Sequence, residues 1–216
     1  MVIIKDSIGI KIHGQIGKQF TVYERLGKTV MRSVPEGFRP TGEGQLAQQK
    51  RMKGCNTFYK AVRHVGLARW WNEAEKRAGW TGHNLFMHRN LPAFSERGWI
   101  EAPEKIRLTE GDGVRLPDGV RLERTEGEAE SWVVSWTEAT RYPAVEPDDR
   151  AVVAVMRGGK YFDVKFVEIM GDTRRRDCRL EFVKPEKLKE HVYCYLYFES
   201  EGGKSVSSSV YLGILS

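Results

Sequence analysis

Gly27-Lys28-Thr29 has the ending of a phosphate-binding loop, in which backbone amides and a lysine would cradle the phosphates of a nucleotide. Such a loop needs another glycine five positions before Gly27, and residue 22 is Val, so the tripeptide reads as a turn. Gly14-Gln15-Ile16-Gly17 has the GxxG form of a backbone clamp for nucleic acid but does not lie between two helices, and it also reads as a turn. His83 and His88 are five apart, which on a helix points them about 140° from each other and off a common metal-facing side. His13, His64 and His191 are isolated. Asp148-Asp149 follows Pro147 and suits turn chemistry more than an acid–base pair, and Ser207, Ser208 and Ser209 lack a nucleophile elbow. Cys55, Cys178 and Cys194 are odd in number with no CxxC spacing, which suggests neither a zinc site nor a disulfide framework. No catalytic, cofactor-binding or metal-ligating residue is assigned, and no cofactor or small-molecule substrate is expected. The chain is not expected to be an enzyme.

What remains is charge. The chain carries 35 Lys and Arg against 29 Asp and Glu, a net +6 that is unevenly placed: residues 1–100 hold 17 and 7, a net +10, and residues 101–216 hold 18 and 22, a net −4. This asymmetry bears on partners and not on fold. The basic stretch RSVPEGFRPTGEGQLAQQKRMKG, residues 32–54, leads into a helical pattern in which Met52, Cys55, Phe58, Tyr59, Val62 and Val65 form one apolar stripe. Lys50, Lys53, Lys60 and Arg63 fall on the opposite side, as on an ordinary solvated helix. Arg51 falls inside the stripe near Cys55 and Phe58, where it must snorkel, pair with an acid or meet a partner. A nucleic-acid footprint would need these cations to join Arg32, Arg39, Arg69 and Arg77 in one patch, and exposed aromatics beside it would favour single strands. Glu73 and Glu75 interrupt the second helix's cations, and Arg174-Arg175-Arg176 reads as charge at a hairpin tip. The candidate nucleic-acid or partner contacts are Lys50, Arg51, Lys53, Lys60 and Arg63.

The elements that must position these residues fall into two regimes. QFTVYER and TVMRSV flank Leu26-Gly27-Lys28 and predict a hairpin with Gly27 at positive φ. Pro35 and Pro40 end it, and a helix is expected from Thr41 or Gly42. A second helix is expected at LARWWNEAEKRA, with Leu67, Trp71, Ala74 and Ala78 on one stripe and Gly79 as its stop. A third is expected after Thr81, with Leu85 and Phe86 inward and Pro92 as its interruption. After Trp99 the period becomes two: KIRL, VRLER, SWVVSW, AVVAVM, YFDVKFVEIM, CRLEFV, HVYCYLYF and SVSSSVYLGIL predict seven or eight strands of an antiparallel sandwich. Trp132, Val134 and Trp136 share its inner face, and the last two runs form a hairpin around Gly202-Gly203. HVYCYLYF is apolar at Val192, Cys194, Leu196 and Phe198 and tyrosine-rich at Tyr193, Tyr195 and Tyr197. Those tyrosines are a candidate protein interface, to be covered by the N-terminal module or by another chain.

The motifs HGQIGKQFTVYERLGKTVMRS, RPTGEGQLAQQKRM, GHNLFMHRN and VSSSVYLG, in this order and spacing over nearly the whole chain, resemble an uncharacterised family of Bacteroidetes proteins described only as a domain of unknown function. A looser similarity is to phage-like proteins in which related N-terminal patterns precede immunoglobulin-like modules. The resemblance implies a two-part layout and a bacterial or phage source, and it carries over no catalytic residue. The chain departs from the pattern where Thr41-Gly42-Glu43-Gly44 replaces the usual threonine-proline-alanine, and two glycines there weaken the helix start by about 1 kcal/mol each.

The expected fold is α+β: a basic β-hairpin and three-helix module over residues 1–98, then an immunoglobulin- or fibronectin type III-like antiparallel β-sandwich over residues 99–216. No signal-peptide core and no apolar run of 18 residues is present, so a cytoplasmic chain without a membrane partner is expected. The expected function is non-enzymatic binding or assembly through protein partners or self-assembly, with a structural component of a phage-like particle as one form of it. The alternative is a nucleic-acid-binding protein using the basic helical module.

Overall fold

The computed structural model describes residues 2–4, 14–16, 19–25, 27–34, 42–125, 131–137, 146, 148–157, 167–184 and 192–215. They form two compact units, Met1–Gly42 and Glu43–Ser216. The first unit is a four-stranded antiparallel sheet of β1 (Val2–Ile4), β2 (Gly14–Ile16), β3 (Phe20–Arg25) and β4 (Lys28–Ser33), in the order β1-β4-β3-β2. The expected hairpin is β3–β4. Arg25 pairs with Lys28, and Gly27 sits at φ +71°, a backbone geometry that a Cβ disfavours. Val22 and Val30 are buried in this sheet.

The second unit begins with three helices, α1 (Glu43–His64), α2 (Ala68–Ala78) and α3 (Gly82–Asn90). Gly79, at φ +66°, ends α2, and the Thr81 hydroxyl caps α3 by accepting from the Asn84 amide at 3.3 Å. Pro92 shortens the next turn to a 3₁₀ turn at Leu91–Ala93. Among the described residues seven strands follow: β5 (Asp118–Arg124), β6 (Ser131–Thr137), β7 (Arg150–Arg157), β8 (Val167–Arg174), β9 (Arg179–Val183), β10 (Val192–Glu199) and β11 (Val210–Leu215). They form a three-stranded sheet, β5-β6-β9, and a four-stranded sheet, β11-β10-β7-β8, both antiparallel. With the strands lettered A, B, C, C′, E, F and G, this is the A-B-E over G-F-C-C′ order of fibronectin type III modules. The fold is α+β with a β-sandwich. Trp132, Val134 and Trp136 of β6 meet Ala151, Val153 and Val155 of β7, and Cys194, Leu196 and Phe198 of β10, in the interior.

KIRL is not a strand. Pro103–Lys105 is a 3₁₀ turn, and the backbone beyond it is satisfied by side chains: Leu108 N–H donates to Ser209 Oγ at 2.8 Å and Arg107 N–H to Asn90 Oδ1 at 2.8 Å. The serines that lacked a nucleophile elbow serve here as staples. Ser208 Oγ donates to the Gly111 carbonyl, and Ser207 Oγ accepts from the Phe198 amide.

The compact units divide at 42/43, not near residue 98. The reason lies in the second face of β7 and β10. Val152, Ala154, Met156, Tyr195 and Tyr197 share one continuous core with Cys55, Phe58, Val62, Trp70, Trp71, Phe86 and Phe94. The helices therefore form a third layer on the four-stranded sheet, and residues 91–109 are its packed hinge, with Ile106 and Leu108 in the same core.

Candidate functional site

α1 is long, at 22 residues or about 33 Å, and only its C-terminal part is seated. Cys55, Phe58, Ala61 and Val62 are its buried residues, whereas every residue from Glu43 to Lys50 except the half-buried Ala47 is exposed. Met52, expected in the apolar stripe, is 44% exposed, and Leu46 is similarly open. Gly54 explains the seating. A Cβ there would overlap the Gly98 carbonyl, and one on Gly98, at φ +82°, would overlap the Lys50 carbonyl, so the backbones of α1 and of the turn after Phe94 touch directly.

Lys50, Lys53, Lys60 and Arg63 are exposed along the solvent side of α1, where the sequence pattern put them. Among the described residues none of the four makes an ion pair or hydrogen bond through its side chain. Arg51 is half-buried at the head of the apolar stripe, and its Nε is shielded without a hydrogen-bond partner among the described residues. Of the further cations named for a nucleic-acid footprint, each described one has its own neighbour. Arg69 is bound to Glu199, Arg32 lies over the Tyr23 ring in the first unit, and Arg39 lies outside the described residues, as do His13 and His191.

The tyrosine face is covered from within the chain. Tyr195 and Tyr197 are buried by the helical layer, Tyr193 is half-buried beside Tyr211, and Tyr195 Oη donates to the Pro103 carbonyl at 2.8 Å. A surface for another chain is therefore not available at Tyr195 or Tyr197. Burial raises the hydroxyl pKa of Tyr193, Tyr195, Tyr197 and Tyr211, and it pushes the Cys55 and Cys194 thiols up to about 12. Such thiols are not nucleophiles at neutral pH.

Two polar joints were not legible as sites. Glu199, buried at the end of β10, accepts from Trp70 Nε1 at 3.1 Å and from Arg69 at 2.8 Å, and Arg150 approaches its other oxygen at 3.8 Å. Arg69 also stacks over the Trp70 ring, 4.4 Å from its centroid. At the same end of β10, on the inner face of the sandwich, Arg175 is buried with Asp149 at 3.8 Å, over the Phe198 ring, and donates to the Arg115 carbonyl. Burial raises the Asp149 carboxyl and Arg175 pulls against that rise. Arg174 and Arg176 pair instead with surface Asp148. Asp148-Asp149 and the three arginines are thus one structural ion-pair corner.

Two crevices on the second unit hold charges that pair with each other. One of about 310 Å³ is lined by Arg89, Glu110, Asp112 and Ser208 among others, with Arg89 and Arg107 both on Glu110. Another of about 320 Å³ lies between Arg150, Asp172, Arg174 and Asp177, with Arg150 on Asp172. His83 meets Asn56 and His88 meets Trp80 edge to face, so the two histidines face different neighbours. Among the described residues no group of three or more His, Cys, Asp and Glu is placed to hold a metal ion, and no helix is long and apolar enough to cross a membrane. Compared with family models, with curated proteins and with solved structures, the chain matches none.

Proposed function

We propose that the chain is a non-enzymatic binding and assembly protein in which a helix-backed sandwich is the scaffold and α1 is the contact element. One observation carries this reading: α1 is seated along one side in the shared core, while its other side and its first two turns stand in solvent with cations that no acid among the described residues answers. The rest of the molecule supports a scaffold. Glu110, Asp148, Asp172 and Glu199 are engaged in internal pairs, and its tyrosine face is filled. A component of a phage-like particle is one setting for such a module.

The test is site-specific photocrosslinking in the expressing cell. A photoreactive residue at Gln49, on the solvent side of α1, should give an adduct with a partner, while one at Ser135 on the outer face of β6 should give none. Equal adducts at both positions, or none at Gln49, would remove α1 as the contact element.

A further inference from the structure

We propose that the solvent face of α1 binds double-stranded nucleic acid, with Lys50, Lys53, Lys60 and Arg63 contacting phosphates. The inference rests on α1 being the contact element and specifies its partner.

The first argument is the pairing of charge across the second unit. Arg69, Arg89, Arg107, Arg150, Arg174, Arg175, Arg176 and Arg179 each meet a carboxylate within 4 Å. Arg97, Lys105, Arg121, Lys184 and Lys204 also meet no acid among the described residues but are not gathered on one helix, whereas α1 puts five Lys and Arg in 22 residues with one acid, Glu43, in its first turn, and its four exposed cations meet no acid among the described residues. Like charges on one helix face repel, and a bound polyanion reverses the sign of that interaction.

Geometry selects the polyanion. Lys50 to Arg63 spans about 20 Å of helix axis, and Lys53 and Lys60 stand almost in line two turns apart. Gln45, Gln49 and Thr57 occupy the same side with the exposed Leu46, and its one carboxylate, Glu43, stands two turns before Lys50 at the N-terminal end, so from Lys50 to Arg63 the face carries no acid. An α-helix with side chains is about as wide as the major groove of a duplex, and such a face is the one that meets phosphates on both rims. Single strands need aromatic platforms, and the aromatics of α1, Phe58 and Tyr59, pack against the core; its exposed apolar residues are Leu46 and Met52. An acidic protein surface is the less suitable partner, because lysine is depleted from the centres of protein interfaces and aromatic anchors are enriched there.

The experiment titrates the full chain into a labelled random-sequence duplex about two helical turns long and follows fluorescence anisotropy over a range of KCl concentrations. The wild type should bind with a log–log salt slope of about −3.5, from four phosphates at roughly −0.9 each. The variant Lys50→Gln, Lys53→Gln, Lys60→Gln, Arg63→Gln should bind at least tenfold more weakly with a slope near zero. The matched variant Lys105→Gln, Arg121→Gln, Lys184→Gln, Lys204→Gln, at exposed or half-buried cations elsewhere, should bind as the wild type does; circular dichroism checks that both fold. Equal losses in the two variants, tighter binding of a single strand than of the duplex, or displacement of the duplex by polyglutamate at equal charge would each overturn the inference. Absence of duplex binding together with a protein adduct at Gln49 would also overturn it, while leaving α1 as the contact element.

Discussion

Glu199 joins the helical layer to the sandwich through its two donors, and the donors are unequal. Arg69 is more than half exposed, so its ion pair is screened, whereas Trp70 Nε1 is buried and has the carboxylate as its acceptor. Glu199→Ala should therefore cost about 2 kcal/mol, mostly for the orphaned indole, and Glu199→Gln, which keeps an acceptor, less than about 1 kcal/mol. Urea denaturation of the two variants checks this, and equal losses would mean that the charge matters more than the indole. The buried hydroxyls and thiols set a second expectation. Tyr195, Tyr197, Cys55 and Cys194 hold their protons in the fold above the unfolded values of 10.0 and 9.0. Because the unfolded chain then binds fewer protons, stability is full below about pH 9 and is lost as pH rises toward the folded values. Urea midpoints between about pH 7 and pH 11 should fall only over the upper part of that range, and a flat profile would contradict the burial of the tyrosine face.

At the scale of the element, α1 is the piece whose sequence and seating disagree most usefully. Alanine is the better helix former, so both Gly44 and Gly54 look improvable. Space separates them. A Cβ at Gly44 meets nothing, and Gly44→Ala should stabilise by about 0.5 kcal/mol; at Gly54 it meets the Gly98 carbonyl, and Gly54→Ala should destabilise by about 2 kcal/mol. Thermal melts of the two variants should shift in opposite directions. The helix itself, its cation side and most of its stripe were legible from 3-and-4 spacing. Met52 was misplaced because the partner surface stops short of it, a fact held by the turn at Gly98 and not by the helix. Trp70 was missed for a similar reason: its acceptor is 129 residues away.

For the whole molecule, the strand count and the sandwich class followed from period-two runs, while the number of layers did not. AVVAVM has no polar position, which is the pattern of a strand covered on both sides, and HVYCYLYF alternates aliphatic with tyrosine for the same cause. Both runs also fit a two-layer sandwich, so the division was placed where the period changes instead of where the core ends. The consequence is testable by truncation. Residues 43–216 should unfold in one cooperative transition seen equally by helical circular dichroism and tryptophan fluorescence. Residues 101–216, β-rich as their pattern requires, should self-associate because Val152, Met156, Tyr195 and Tyr197 lose their cover. Whether this three-layer body holds α1 out to a polyanion is read most directly by lysine acetylation followed by mass spectrometry, with and without duplex. Lys50, Lys53 and Lys60 should react freely in the chain alone and be protected by the duplex, while Lys105, Lys184 and Lys204 keep their reactivity. Protection spread evenly over all six lysines, or confined to the latter three, would contradict the assignment of α1 as the binding element.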